Sequence, residues 1–286
     1  MVCSGTFGSG SEYGDFLDLE SLGALVTKSV TLNPRAGNPP PRIWETPSGM
    51  LNSIGLENKG VERFIQEDLA HLSALELPVI ASVAGSSVEE YVEVAGRLSD
   101  SGRASALELN VSCPNVKRGG VEFGLESQAA CELVTRVKER CGVPIFVKLS
   151  PLVPDMGAMA RLLQEAGADG LSLINTVPGM AVDIEGKKPR LGAVTGGLSG
   201  PAIHPIAVRS VWTARQQVGI PIIGMGGITD WRSALELIVA GANAVAVGTA
   251  NFTDPQATIK IIGGMESFVQ ARGLDRIGEL VGSLRV

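Results

Sequence analysis

Residues 165–175 read Glu-Ala-Gly-Ala-Asp-Gly-Leu-Ser-Leu-Ile-Asn, and residues 239–249 read Val-Ala-Gly-Ala-Asn-Ala-Val-Ala-Val-Gly-Thr. In each, a helix-period segment stops at a glycine, which suits the left-handed position that ends a helix, and an apolar strand begins almost at once. Repeated units of this kind build either a closed barrel or an open doubly wound sheet. Working outward, helix-period segments near 61–74, 87–100, 126–140, 156–166, 204–217, 230–240 and 254–271 separate apolar runs of strand length. Those runs, at 22–30, 78–83, 104–111, 144–149, 170–175, 221–225 and 244–248, do not alternate polar with apolar. Parallel strands buried on both faces read that way.

The chain has 286 residues, close to the roughly 250 usual for a (β/α)8 barrel. No Gly-x-Gly-x-x-Gly turn follows the first strand, which also favours the barrel. The fold class expected is therefore α/β, a (β/α)8 TIM barrel, with residues 1–286 as a single domain. Seven strands are full; the eighth is a stub at 1–10 that reads as the end of a truncated strand one running into a glycine-rich loop. Residues 31–60 read as a long loop dense in Pro, Gly and Asn. Its segment Asn52-Ser53-Ile54-Gly55-Leu56 is too apolar for solvent and is expected to lie over a site.

With 44% hydrophobic residues, 19% charged residues and 36 glycines, the composition is that of a well-buried protein rich in tight turns. A net charge of −6 argues against nucleic acid as a partner. No apolar run approaches the ~18 residues that span a bilayer, and no signal peptide is evident. The four cysteines, Cys3, Cys113, Cys131 and Cys141, lack Cys-x-x-Cys spacing, and His71 and His204 are the only imidazoles. No metal site is expected, and a reduced cytoplasmic setting is the simplest reading. Cys131 and Cys141 read as structural.

In a barrel the C-terminal strand ends converge on one face. Here they carry Ser4, Lys28, Ser82, Asn110 with Cys113, Lys148, Asn175 with Thr176, Gly226 with Gly227, and Gly248 with Thr249. That ring has no carboxylate pair and no Ser-His arrangement, so paired-acid or triad hydrolysis is poorly supported. The glycines at 224–227, Gly248-Thr249 and the segment 196–200 fit a phosphate site, although glycines also simply make tight turns. Lys28 and Lys148, each ending an apolar strand, fit an electron-rich ring or a carboxylate; Lys148 also suits a Schiff-base aldolase. Cys113 sits in a polar Cys-Pro-Asn loop followed by Lys117 and Arg118, where positive charge favours the thiolate. Its bland alternative is a small buried hydrophobe. Gly119 and Gly120 suit a flap that closes over substrate.

The motifs at 109–117 (Leu-Asn-Val-Ser-Cys-Pro-Asn-Val-Lys), 38–58, 146–151 (Phe-Val-Lys-Leu-Ser-Pro), 195–203 and 223–228 (Ile-Gly-Met-Gly-Gly-Ile) resemble the dihydroorotate dehydrogenases. Cys rather than Ser in the first motif resembles class 1, and 49–52 with 248–252 resemble the NAD-linked type B catalytic subunits. The resemblance implies an FMN-containing barrel that oxidises dihydroorotate to orotate in pyrimidine synthesis. It implies Cys113 as the base that removes the C5 proton while hydride leaves C6 for the flavin. Substrate would be held by Lys28, Asn52, Ile54, Gly55, Leu56, Asn110, Asn115, Asn175 and Thr176. FMN would be held by Ser4, Gly5, Lys28, Ser29, Asn110, Lys148, Ile174, Ser199, Gly200, Gly226, Gly227, Gly248 and Thr249.

A homodimer and a separate electron-transfer subunit carrying FAD and a [2Fe-2S] cluster are also implied. Two departures stand out: a shorter N-terminus, which predicts an open barrel edge beside the flavin site, and Ser82, where many relatives have asparagine. A related FMN-dependent pyrimidine oxidoreductase, a Lys148 aldolase and an inactive truncated relative are the alternatives.

Overall fold

Seven short parallel strands pair edge to edge in the computed structural model: β1 (Leu25–Val26), β2 (Val79–Val83), β3 (Ala106–Asn110), β4 (Ile145–Leu149), β5 (Gly170–Leu173), β6 (Ile222–Met225) and β7 (Ala244–Ala246), in that order across the sheet. The structure describes residues 1–8, 10–111 and 125–286. Val2 forms parallel bridges to Leu25 on one side and to Val247 on the other. Cys3 N donates to Val247 O at 2.9 Å, and Val247 N donates to Met1 O at 3.0 Å. The edge expected to be open is thus occupied. A parallel ladder needs only backbone groups in register, so the stub joins the two ends of the sheet into a ring.

Side chains on these strands part into two cores. Leu25, Val79, Ala81, Leu107, Leu109, Ile145, Val147 and Leu149 face outward, where they belong to the larger apolar cluster shared with the helices. The main helices of that layer are Val88–Asp100, Ser127–Arg140, Met156–Glu165, His204–Arg215, Trp231–Ala240 and Ala257–Ala271. Val26, Ile80, Ala106, Ile223, Met225 and Ala246 face inward and meet Met1, Cys3 and Phe146 in a separate cluster inside the ring. An apolar outer face and a mostly apolar inner floor explain why the strand sequences do not alternate.

The two echoing junctions share their hydrogen bonding. Gly167 and Gly241 take φ of +101° and +131°, and the next amides, Ala168 and Ala242, donate back to Leu163 O and Leu237 O at 3.0 and 2.9 Å. The following polar residue then reaches the neighbouring strand: Asp169 accepts from Ile145 N at 2.8 Å and Asn243 from Ile222 N at 3.0 Å. Ser105 does the same for Val79 N at 3.3 Å. Each side chain satisfies the first, otherwise orphaned, amide of the strand beside it.

Three expectations need correction. The strand over 22–30 is ordered as strand only at Leu25–Val26, with Val30 bridging Val83 separately. The helix expected over 254–271 begins at Ala257, after a separate turn Ala250–Thr253. The loop 31–60 contains a hairpin, Ile43–Thr46 and Gly49–Asn52, which pairs antiparallel with Gly196–Ser199 and through it with Val177–Gly179. Glycine and proline disguised those strands; pairing with distant segments supplies what their local propensity lacks. Among the described residues no helix is long and apolar enough to cross a membrane.

Candidate functional site

The C-terminal ends of the barrel strands and the antiparallel sheet enclose a cavity of about 1070 Å³. Its floor and near wall come from Ser4 and Gly5 after the stub, Lys28 and Ser29 after β1, Asn110 ending β3, Lys148 on β4, and Ile174, Asn175 and Thr176 after β5. Asn52, Ile54, Gly55 and Leu56 bring the segment expected to cover a site onto that cavity. Ser199 and Gly200, Gly226 and Gly227, and Gly248 and Thr249 also line it. Every described residue expected to hold substrate or cofactor therefore lines one cavity, whereas Ser82 of the strand-end ring does not. Cys113 and Asn115 lie outside the described residues.

Hydrogen bonds tie the floor together. Asn110 Nδ2 donates to Ser29 Oγ at 3.0 Å, Ser29 and Ser82 hydroxyls share a bond of 2.8 Å, and Asn175 Nδ2 donates to Asn110 Oδ1 at 3.2 Å. Ser82, noted as a departure from many relatives, is wholly buried beneath Ser29 rather than in the cavity lining. Tyr91 Oη donates to Asn110 O at 2.7 Å and so fixes the end of β3 immediately before the Cys-Pro segment.

Gly200, Gly226 and Gly227 have φ of +98°, +123° and +68°. A Cβ on Gly227 would sit 2.8 Å from Gly200 O and 2.7 Å from His204 Cβ. Only glycine lets these two loops come so close. His204 Nδ1 donates to Gly226 O at 2.8 Å, and Thr249 Oγ1 donates to Ser199 Oγ at 2.8 Å. Glycine loops, hydroxyls, amides and two lysines around one cavity suit a flat, phosphate-bearing ligand.

Two residues were not foreseen. Glu108, between Leu107 and Leu109 on β3, is wholly buried and places Oε1 3.5 Å from Lys148 Nζ. A glutamate inside an apolar strand was the visible signal, but its partner lies on another strand. Cys3 lines the cavity, and its Sγ donates to Ala246 O at 3.2 Å. Burial pushes its thiol up to about 11, with Lys148 pulling it down and Glu108 pushing it further up. Cys3 is therefore a neutral thiol at neutral pH. Cys131 and Cys141 are also raised by burial, as inert packed cysteines are. Among the described residues no group of three His, Cys, Asp or Glu side chains is placed to hold a metal ion.

The family model for dihydroorotate dehydrogenase matches residues 1–269. A protein of Geobacter sp. (strain M21) is 50% identical over 286 residues, all of this chain and 94% of its own length. One of Geotalea uraniireducens (strain Rf4) is 51% identical over 284 residues, 99% of this chain and 93% of its own. One of Desulforamulus reducens (strain ATCC BAA-1160 / DSM 100696 / MI-1) is 52% identical over 282 residues, again 99% and 93%. Each bears the name dihydroorotate dehydrogenase B (NAD(+)), catalytic subunit. With the model matched over nearly the whole chain and half the residues identical across it, this chain belongs to the dihydroorotate dehydrogenase family.

Proposed function

We propose that the chain is the catalytic subunit of an NAD-linked dihydroorotate dehydrogenase, oxidising dihydroorotate to orotate in pyrimidine synthesis. The observation that supports this best is one cavity lined together by amides, two lysines and close-set glycine loops. FMN, when bound, supplies the hydride acceptor. The loops at Ser199–Gly200, Gly226–Gly227 and Gly248–Thr249 hold its phosphate through backbone N–H groups. Lys28 and Lys148 offset negative charge on the ring.

Asn52, Asn110, Asn115 and Asn175 present donors and acceptors to the imide and carboxylate of the pyrimidine, with Thr176 beside them. Ile54, Gly55 and Leu56 close over it and exclude water. Cys113 takes the proton from C5, its thiolate favoured by Lys117 and Arg118. The words catalytic subunit in the relatives' shared name support a separate partner subunit; that partner would carry FAD and a [2Fe-2S] cluster and pass electrons to NAD, and the chain itself would pair as a homodimer in the cytoplasm. Residues 1–286 would act as one FMN-binding domain.

Purified protein should show a flavin spectrum, in hand or after FMN is added, that dihydroorotate bleaches in the absence of oxygen. Cys113→Ala should keep FMN but slow that bleaching at neutral pH by about 10²-fold or more, the usual contribution of a positioned base. Undiminished bleaching would remove Cys113 from the role. Protein that never takes up FMN, or a lysine trapped by borohydride at Lys148, would overturn the proposal.

A further inference from the structure

Inside the barrel, at the base of the cavity, two inward-facing charged residues on neighbouring strands lie side by side. Glu108 on β3 is wholly buried and Lys148 on β4 is 6% exposed. Lys148 Nζ stands 3.5 Å from Glu108 Oε1, which also accepts from Ser82 Oγ at 3.4 Å. Glu108 Oε2 has no hydrogen-bond partner among the described residues, and neither has Ser172 Oγ, whose backbone is in register with Lys148. Lys148 lines the cavity but Glu108 does not. The carboxylate therefore stands behind the ammonium as seen from the ligand.

A desolvated ion pair with an unsatisfied carboxylate oxygen contributes little to folding and is often improved on by apolar residues. Stability gives no reason for Glu108. Its position gives one: a buried anion beside the cation at the floor of the cavity weakens the positive field that the cation casts into it. The neighbouring Cys3 thiol, neutral at ordinary pH, adds no charge that would change this balance, and Lys28 lies at the end of a different strand.

We propose that Glu108 is a positioning residue for the bound flavin, anchoring Lys148 from behind and partly offsetting its charge, so that the reduced ring is stabilised less than a lone lysine would stabilise it. This rests on the FMN reading above. Glu108 acts through Lys148 and touches neither ring nor substrate.

The test is the midpoint potential of FMN bound to four proteins: wild type, Glu108→Gln, Lys148→Met and the double variant. Glu108→Gln should favour the reduced over the oxidised flavin at least tenfold, a rise of about 30 mV for a two-electron couple. Lys148→Met should lower the potential, and adding Glu108→Gln to it should change nothing, because Glu108 acts only through Lys148. An unchanged or lowered potential in Glu108→Gln overturns the proposal, as does an equal rise in the Lys148→Met background. If Glu108→Gln fails to fold while the double variant folds, the unpaired ammonium is the fault and the pairing stands; if neither folds, the pairing role is lost. Wild-type protein that binds no FMN sinks the functional reading instead. The pair is then judged by thermal unfolding of the four flavin-free proteins, where strictly additive losses overturn it.

Discussion

Cys3 shows how much one side chain's chemistry depends on its surroundings. Burial is the main cause of its raised thiol pKa, so the folded state holds the proton more tightly than the unfolded chain does. That preference stabilises the fold below about pH 9, and it is lost as pH rises from 9 toward the folded value near 11. Thermal unfolding followed between pH 8 and 11 should show the wild type losing more stability than Cys3→Ala across that window. Parallel curves for the two proteins would show that the thiol is not sequestered. At this scale the sequence was most legible where a residue's type carries its chemistry. Lys28, Lys148, Asn110 and Asn175 stand out in the sequence as strand-end polar groups, and all four line the cavity. Glu108 is not legible in the same way, because a charge inside an apolar strand declares a role only through its partner across the ladder.

Secondary-structure elements behave similarly. The helices announce themselves by period and caps. Asp230 accepts from Ser233 N at 2.8 Å, and this backbone bond is the main reason its carboxyl is held below the usual range. Asp230→Ala should cost about 1 kcal/mol of stability, read by urea unfolding. The wild-type advantage should shrink in acid, as the carboxylate takes a proton on the way down through its depressed pKa. The antiparallel sheet was hidden because its members come from segments far apart in the chain, with glycines where strand formers would be expected. Gly49 is such a case: its φ is +150°, and a Cβ there would overlap Ser199 O on the paired strand. Gly49→Ala should cost about 2 kcal/mol through that overlap and weaken FMN uptake more than a surface alanine substitution does. Equilibrium dialysis with FMN checks it, and unchanged affinity would separate the sheet from the ligand site.

For the molecule as a whole, closure of the barrel rests on a very short element. Val2 is wholly buried and joins the two ends of the sheet at Leu25 and Val247. Val2→Asp places an unpaired charge in that joint and should cost on the order of 4 kcal/mol. The loss should appear as a lowered melting temperature together with lost FMN binding, since Ser4 and Gly5 follow directly and line the cavity. A melting temperature close to wild type would mean that the ring does not depend on this residue. The open edge expected from the sequence came from counting residues, whereas closure depends on two bridges and their hydrogen bonds, which a three-residue stub can supply.

The sequence by itself determined the alternation of helix and strand, the glycine that ends each echoing helix, the strand ends that carry polar residues, and the family. All of these are local signals: periodicity, a left-handed glycine, a motif of contiguous residues. Tertiary structure alone decided that Val2 closes the ring, that three distant segments build a sheet over the cavity, and that Glu108 stands behind Lys148. Each of those depends on the register between strands tens of residues apart. That register is set by packing of the two cores and by backbone pairing, and no local stretch of sequence encodes it.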